Sequence, residues 1–588
     1  MPFTEEEWSE ISSTQLPGTS DAIVKKLHQA RISLIREEQK RRSDHAFKQS
    51  LSPLARRAND IVAKIRDHER KTVWTPQFEE HLAVSSGLTV HPGMMFHLAK
   101  SRMESTDLFR IVRKMPKGGL LHAHLDAMVD FGYLLDALME EPGIHISAAD
   151  GPLVGKKTLA EAPIQFKFLK QERGEGPEIW DEKVYERGTP IRLTKAADAF
   201  PNGGRQGFLK WLRSRCVLST TDAVEQHHGI DAIWDKFSKC FLVTATVIHY
   251  EPMWRKFLRR LMKVLYEDGV HWTEIRFTWP LNYHRLGSET PEEDYTHMFT
   301  VLDEEIKAFQ SSPEGRGFWG IRTIWTSLRA LDSRSIIQDM DNCITTKIQF
   351  PHLIAGYDLV GPEDLGKPLK DFYPELLWFR QQCAAEHVEL PFIFHAGETL
   401  GDGNDTDHNL VDAIMLGTRR IGHGFSLYKH PQLIDMVKEK RILIESCPIS
   451  NEVLRLCASI MSHPLPALLA RGVPACLCND DPAMLGHDTA GSTHDFVQAL
   501  QGWENLGLAG LGSLAENSVR WACFEDQTSE QWLKDVKEAS LGSSLKAERL
   551  REWAVAWENF CVWVVDEYGD KWEHDSDKTA THSGGAAL

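Results

Sequence analysis

No stretch of this 588-residue chain approaches the roughly 18 consecutive apolar residues that a membrane-spanning helix needs, so no membrane span is expected. The opening MPFTEEEWSE is acidic and lacks both a basic leader and an apolar core, which argues against a secretory signal. Cysteine is sparse, with 10 residues scattered outside any disulfide-framework spacing, as suits a reducing compartment. A cytoplasmic protein is therefore expected, with secretion after removal of a signal as the alternative. Positive charge is also short: 67 Lys and Arg against 84 Asp and Glu leave −17. The segment Asp21–Lys71 holds 14 basic and 7 acidic residues, so the remainder carries −24. A body this acidic repels a phosphate backbone, which excludes a nucleic-acid partner for it, and the basic segment reads as a solvated helical face. Internal repeats are lacking, and the small, polar end over residues 571–588 reads as a disordered tail.

What is present is ordinary globular chemistry, 42% hydrophobic and 26% charged. Residues 1–110 read as an N-terminal helical segment. Thr19, Ser20 and Asp21 offer N-cap chemistry before Ile23, Val24, Leu27, Ile32, Leu34 and Ile35. The Ser52-Pro53 step breaks that pattern, and Leu54, Ala58, Ile61, Val62 and Ile65 resume it. Such a stripe has to be covered by the body of the protein or by another subunit.

From Gly118 onward, short apolar runs alternate with helical stretches. Eight candidate strands stand out: Gly119–Asp126, Trp272–Thr278, Ile321–Ser327, Leu353–Val360, Pro391–His395, Arg420–His423, Ile442–Cys447 and Ala475–Asn479. Strands alternating with helices imply a parallel sheet, and eight of them imply an α/β (β/α)8 TIM barrel, here over residues 111–570. An insertion is expected after the first strand, over about 144–229, where Gly, Pro and charged residues crowd and periodicity is poor.

The ends of these strands carry the chemistry. The first ends in His122-Ala123-His124-Leu125-Asp126, the fifth in His395-Ala396-Gly397-Glu398, the sixth in Gly422-His423-Gly424 and the eighth in Asn479-Asp480-Asp481-Pro482. Residues two apart on a strand face one side, so His122 and His124 can converge, and C-terminal strand ends gather at the mouth of such a barrel. Three histidines and a carboxylate are a zinc set with room for a water, so His122, His124, His395 and Asp480 are the expected ligands of one Zn2+ per chain. Glu398 is placed to exchange a proton with substrate, His423 to orient the water or take its proton, and Asp481 to bond the substrate. Any one of these motifs alone is weak; their recurrence at four strand ends is not. Cys476 and Cys478 read as small core residues.

This constellation resembles the adenosine deaminase family of the amidohydrolase superfamily, in its growth-factor-like, adenosine deaminase 2 type branch. The resemblance rests on MPKGGLLHAH (from Met115), GYDLVGPED (from Gly356), FHAGET (from Phe394), RIGHGFSLYKHP (from Arg420), ESCPISNEVL (from Glu445) and NDDPAM (from Asn479). It covers residues from about Ala232 to Asp570 and the strand around His122. It implies zinc-dependent hydrolytic deamination at C6 of a purine nucleoside. By position, Glu398 would give a proton to ring N1, His423 and Asp480 would hold the attacking oxygen, Asp481 would bond N7, and the Gly361 N–H would meet N3. Asp126 would contact the sugar, and Trp234 would lie near the substrate. The branch also implies a homodimer through the N-terminal helices.

Three departures concern the sugar. Leu125 stands where the branch has Asp directly after the second ligand, Ser238 where it has Glu, and Leu328 where it has a ribose-contacting His. The purine-handling groups are intact, while the sugar-handling groups are altered. Cys216 alone lies in the insertion, where the secreted branch carries a disulfide. Two other readings are weighed: a single-metal amidohydrolase acting on another adenine derivative or an amide, and a non-catalytic growth-factor-like binding protein. The fourth strand, LIAGYDLVG, offers no lysine for a bridging carbamate, which favours one metal. The P-C-x-x-C element of cytidine-type deaminases is absent.

Overall fold

Each of the eight apolar runs forms a strand in the computed structural model, which describes residues 2–75, 77–78, 80, 95–170, 178–224, 229–279 and 282–573. In chain order the strands are β1 (Gly118–Leu120), β2 (Ile144–Ala148), β3 (Ile164–Phe168), β4 (Ile191–Arg192), β5 (Val270–Phe277), β6 (Gly320–Leu328), β7 (Ile354–Val360), β8 (Phe394–Ala396), β9 (Arg420–His423), β10 (Leu443–Ser446) and β11 (Ala475–Leu477). Two parallel arrays, β1-β5-β6-β7 and β8-β9-β10-β11, make the barrel wall. Parallel bridges Tyr357–Phe392 and Ala123–Asp480 join their edges and close the ring. Helices cover its outside, so the strands are buried on both faces and read as nearly continuous apolar runs.

The first strand is shorter than its sequence suggests. Its ladder ends at Leu120; Ala123 and His124 make single bridges, and Leu125–Ala127 is a turn of 3-10 helix. That turn brings Asp126 to the barrel mouth. The region after it, expected to be irregular, contains a small antiparallel sheet ordered β3-β2-β4, flanked by helices such as Gly204–Cys216. Its strands have two to five residues, too few to register a period.

The N-terminal helices divide in two. Helix Pro53–Thr72, capped by the Ser52 hydroxyl on the Ala55 N–H, buries Ala55, Ala58, Ile61, Val62 and Ile65. It packs on helices Gly507–Arg520 and Leu545–Glu573 and is part of the body. Helix Ala22–Arg41 buries no residue, and Ile23, Leu27 and Leu34 are each at least 66% exposed. The last helix continues through Glu573 with Trp572 buried, so the tail cannot begin at residue 571; residues 574–588 lie outside the described ones.

Candidate active site

The barrel mouth brings together every site residue singled out in the sequence. His122 and His124 follow β1, His395 lies in β8, His423 ends β9, and Asp480 follows β11 and bridges back to β1 through the His124 N–H, 2.9 Å from the Asp480 carbonyl. His423 and Asp480 have φ of 60° and 57°, a left-handed backbone that β-strand residues avoid; here it turns each side chain inward as its strand ends. Gly422 is required beside them, because a Cβ there would sit 2.6 Å from His122 Cε1.

His122 Nε2 and His124 Nε2 each lie 3.3 Å from Asp480 Oδ1. Both His122 Nε2 and Asp480 Oδ1 are buried without a hydrogen-bond partner. Ligand atoms about 2.0–2.1 Å from a tetrahedral zinc stand about 3.3 Å from each other, so this spacing fits a shared cation. His122, His395, His423 and Asp480 present ligand atoms within 4.8 Å of one another, and His124, Asp480 and Asp481 do the same. The four-residue group thus has His423 where the expected set has His124, and His124 groups with Asp480 and Asp481 instead. Burial holds His124, His395 and His423 well toward the neutral form that binds metal.

Behind the imidazoles stand carboxylates that sequence reading did not single out. Glu445 Oε2 is 2.9 Å from His122 Nδ1, and Asp358 Oδ2 is 2.6 Å from His395 Nδ1. Each therefore directs its partner's Nε2 inward, the carboxylate–histidine arrangement that orients metal ligands. Arg276 joins the two acids, with Nε 2.8 Å from Asp358 and Nη2 2.7 Å from Glu445; Arg420 and Glu274 extend the chain. These cations hold Asp358 and Glu445 ionised far below the usual carboxylate range, against the opposing effect of burial. One signal was present in the sequence: Arg276, Asp358 and Glu445 interrupt otherwise apolar strand runs, and a buried charge needs a partner.

A second chain of contacts fixes the protonation of His423. The Leu465 N–H donates to His463 Nδ1 at 3.1 Å, so the neutral His463 ring carries its proton on Nε2. That proton faces Asn451 Oδ1 at 3.0 Å, which turns the Asn451 amide nitrogen toward His423 Nδ1 at 3.2 Å. An amide NH2 only donates, so His423 Nδ1 accepts and Nε2 bears the hydrogen. Nε2 points toward Asp480 Oδ2, 3.8 Å away, whose position is set by the Ser450 hydroxyl at 2.7 Å. His423 therefore offers a donor to the reaction centre.

A cavity of about 540 Å3 opens above this cluster, lined by His124, Asp126, Trp234, Gly361, His395, Glu398, His423, Asp480 and Asp481 among others. Glu398 is held by its own backbone: Glu363 accepts the N–H groups of Gly397 and Glu398 at 3.2 and 3.0 Å. Burial, reinforced by the Asp480 charge, pushes both Glu398 and Asp481 well above the usual carboxylate range and keeps them protonated. Burial likewise raises Asp126 to about 6. At Gly361 φ is +110° and no atom lies within 4 Å of where a Cβ would be, so its backbone is open to the cavity.

Imidazoles converging on an ionised aspartate at the C-terminal rim of a (β/α)8 barrel, beside protonated carboxyls, define a metal-dependent hydrolase with one ion. Comparison with known proteins specifies the class. The adenosine deaminase family model matches residues 218–539. An adenosine deaminase of Phlebotomus duboscqi is 33% identical over 76% of this chain and 82% of its own. Adenosine deaminase 2 of Homo sapiens is 33% identical over 75% of this chain and 81% of its own, and adenosine deaminase 2-A of Danio rerio is 30% identical over 75% and 82%. The chain belongs to the adenosine deaminase family.

Proposed function

We propose that this protein hydrolyses adenosine or a related 6-aminopurine nucleoside to the inosine-type product and ammonia, with Zn2+ as its metal. The observation that carries the reading is the meeting of Glu398, His423 and Asp481 with the His122, His124, His395 and Asp480 set at one end of one cavity. A bound Zn2+ lowers the pKa of its water to about 7 and so supplies a nucleophile near neutral pH.

The protein's own groups prepare the purine. Ring N1, N3 and N7 are acceptors, so each needs a donor. Protonated Glu398 gives its proton to N1, which draws electrons from C6 and opens it to attack. Protonated Asp481 donates to N7, and the Gly361 N–H donates to N3. His423 Nε2–H orients the attacking oxygen beside Asp480. Attack makes C6 tetrahedral; one proton of the water passes to the amino nitrogen, the C6–N bond breaks and ammonia leaves, and as C6=O forms the remaining hydroxyl proton returns to Glu398, with N1 keeping its hydrogen. Asp126 receives a sugar hydroxyl, and Trp234 covers the ligand.

A second copy of the chain is the proposed partner of the bare helix Ala22–Arg41, whose Ile23, Leu27 and Leu34 are left exposed by the described residues of one chain. The 10 cysteines, all free and buried, support a reducing, cytoplasmic setting. Among the described residues no helix is long and apolar enough to cross a membrane.

Zinc-loaded protein with adenosine should release stoichiometric ammonia as absorbance near the adenosine maximum falls. Glu398→Gln should lose about 10^2–10^4-fold in kcat. Full activity in that variant, or two zinc ions per chain by elemental analysis, would overturn the assignment.

A further inference from the structure

The two halves of the barrel mouth differ in chemistry. Strands β8, β9 and β11, with the segment after β1, deliver the imidazoles and carboxyls. The half formed by the ends of β5, β6 and β7 delivers Phe277, Trp279, Leu328 and Val360 to the same cavity. Helix Ile230–Thr244 closes that half from above with Trp234, Phe237, Ser238 and Phe241, which recur three and four residues apart on one helical face. A purine whose C6 sits at Glu398 and Asp481 must extend its sugar into this aromatic chamber.

Polar groups there are few, and two of them, His249 Nδ1 and Trp279 Nε1, are buried without a hydrogen-bond partner. The hydroxyls of Thr278 and Thr326 bond each other at 2.9 Å. Burial lowers His249 to about 4, so its ring is neutral at physiological pH. Among the described lining residues the one Lys or Arg is Arg276, and its donors are taken by Asp358, Glu445 and the Leu121 carbonyl. Four carboxyl side chains line the cavity as well. A phosphate would meet no free cation here. Leu328, by contrast, is an apolar side chain on the cavity wall that the described residues leave 42% exposed.

We propose that the site selects an uncharged adenine nucleoside with an apolar substituent on its sugar, such as a 5′-thioether, over both adenosine and adenine nucleotides, with Leu328 as the specificity-determining residue. One sugar hydroxyl keeps Asp126 as a partner; the remainder of the sugar gains by covering Leu328, Phe241 and Trp234. This rests on the deaminase reading above and narrows its substrate class. Burying an apolar tail of one or two heavy atoms is worth about ten-fold in such a chamber.

The test is kcat/KM of the zinc-loaded full chain for 5′-methylthioadenosine, adenosine and AMP, beside Leu328→His. The expected result is the thioether about ten-fold above adenosine, with AMP lower than both. In Leu328→His the thioether-to-adenosine ratio should fall about ten-fold. Binding to unreactive Glu398→Gln, read by the fluorescence of Trp234 and Trp279 in the cavity, should give the same order. Adenosine or AMP matching the thioether in both measurements would overturn the inference while leaving the deaminase reading intact. No ammonia from any of the three would overturn that reading and this inference with it. A thioether-to-adenosine ratio unchanged by Leu328→His would remove Leu328 from its role.

Discussion

His122 and His395 are joined by an unbroken line of buried ions. From His122 the line runs through Glu445, Arg276 and Asp358 to His395, with no gap longer than 2.9 Å. Arg276, Asp358 and Glu445 are wholly buried. Removing ions from water is costly, and in this line the cost is offset by complete pairing within the barrel core. One guanidinium thus sets the orientation of two imidazoles that come from opposite edges of the ring.

Glu445→Gln tests that relationship. The amide keeps the shape but weakens the acceptor behind His122 and the pairing with Arg276. Metal affinity, measured by competition with a chelator at fixed pH, should fall about 10–100-fold. Arg276→Met is harsher, since it strands two buried carboxylates and should cost about 3–5 kcal/mol of stability. An unchanged affinity in Glu445→Gln would show that the line has only a structural role.

Asn451→Asp tests the hydrogen assigned to His423. A carboxylate at residue 451 would accept rather than donate, moving the imidazole proton to Nδ1 and leaving Nε2 without one. We expect kcat to fall by at least ten-fold with KM nearly unchanged. His463→Gln should be mild, because its amide can still donate to Asn451 Oδ1. Nitrogen chemical shifts of His423 should report the switched tautomer in Asn451→Asp alone. Equal losses in the two variants would argue for packing instead.

The barrel was legible because eight apolar runs alternate with helical stretches, and its site because four of those runs end in motifs of unusual chemistry that the ring gathers. His122, His395 and Asp480 needed no packing information to be found. Asn451, His463 and Glu363 did. They act through hydrogen bonds between residues far apart in the chain, as in the Glu363 bond to the Glu398 N–H. A polar residue in a loop, as at Glu363 and His463, or in a short helix, as at Asn451, gives no sign of such a partner. The insertion sheet escaped notice for a different reason, since β4 contains only Ile191 and Arg192. The exposed side of helix Ala22–Arg41 was also beyond reach: an apolar stripe in sequence looks the same whether or not the body covers it.

Glu69 makes stability fall with pH. Buried on helix Pro53–Thr72, it accepts the Leu108 N–H at 3.1 Å, while its second oxygen has no partner. Burial raises its pKa from 4.5 to about 7; the Asp107 carboxylate adds to the rise and Arg110 opposes it. The folded state therefore holds a proton that the unfolded chain loses, so stability present below pH 4.5 is lost as pH climbs toward 7. The loss is on the order of 3 kcal/mol. Glu69→Gln keeps the acceptor and cannot ionise. Thermal midpoints should favour the variant at pH 8 and converge with the parent below pH 5; a constant difference would exclude this origin.

Removing residues 2–41 separates the bare helix from the body that Pro53–Thr72 completes. Helix Ala22–Arg41 contributes no buried side chain, so the truncated chain should keep its thermal midpoint and its metal content. If a second copy covers Ile23, Leu27 and Leu34, light scattering should give twice the chain mass for the full protein and a single chain mass for the truncated one. The full chain should also dissociate on dilution, because a patch from one helix per copy buries less surface than the roughly 1,200–2,000 Å2 of a standard stable interface unless further regions join it. A full chain that runs as a monomer at all concentrations, or a truncated chain that stays paired, would move the interface elsewhere.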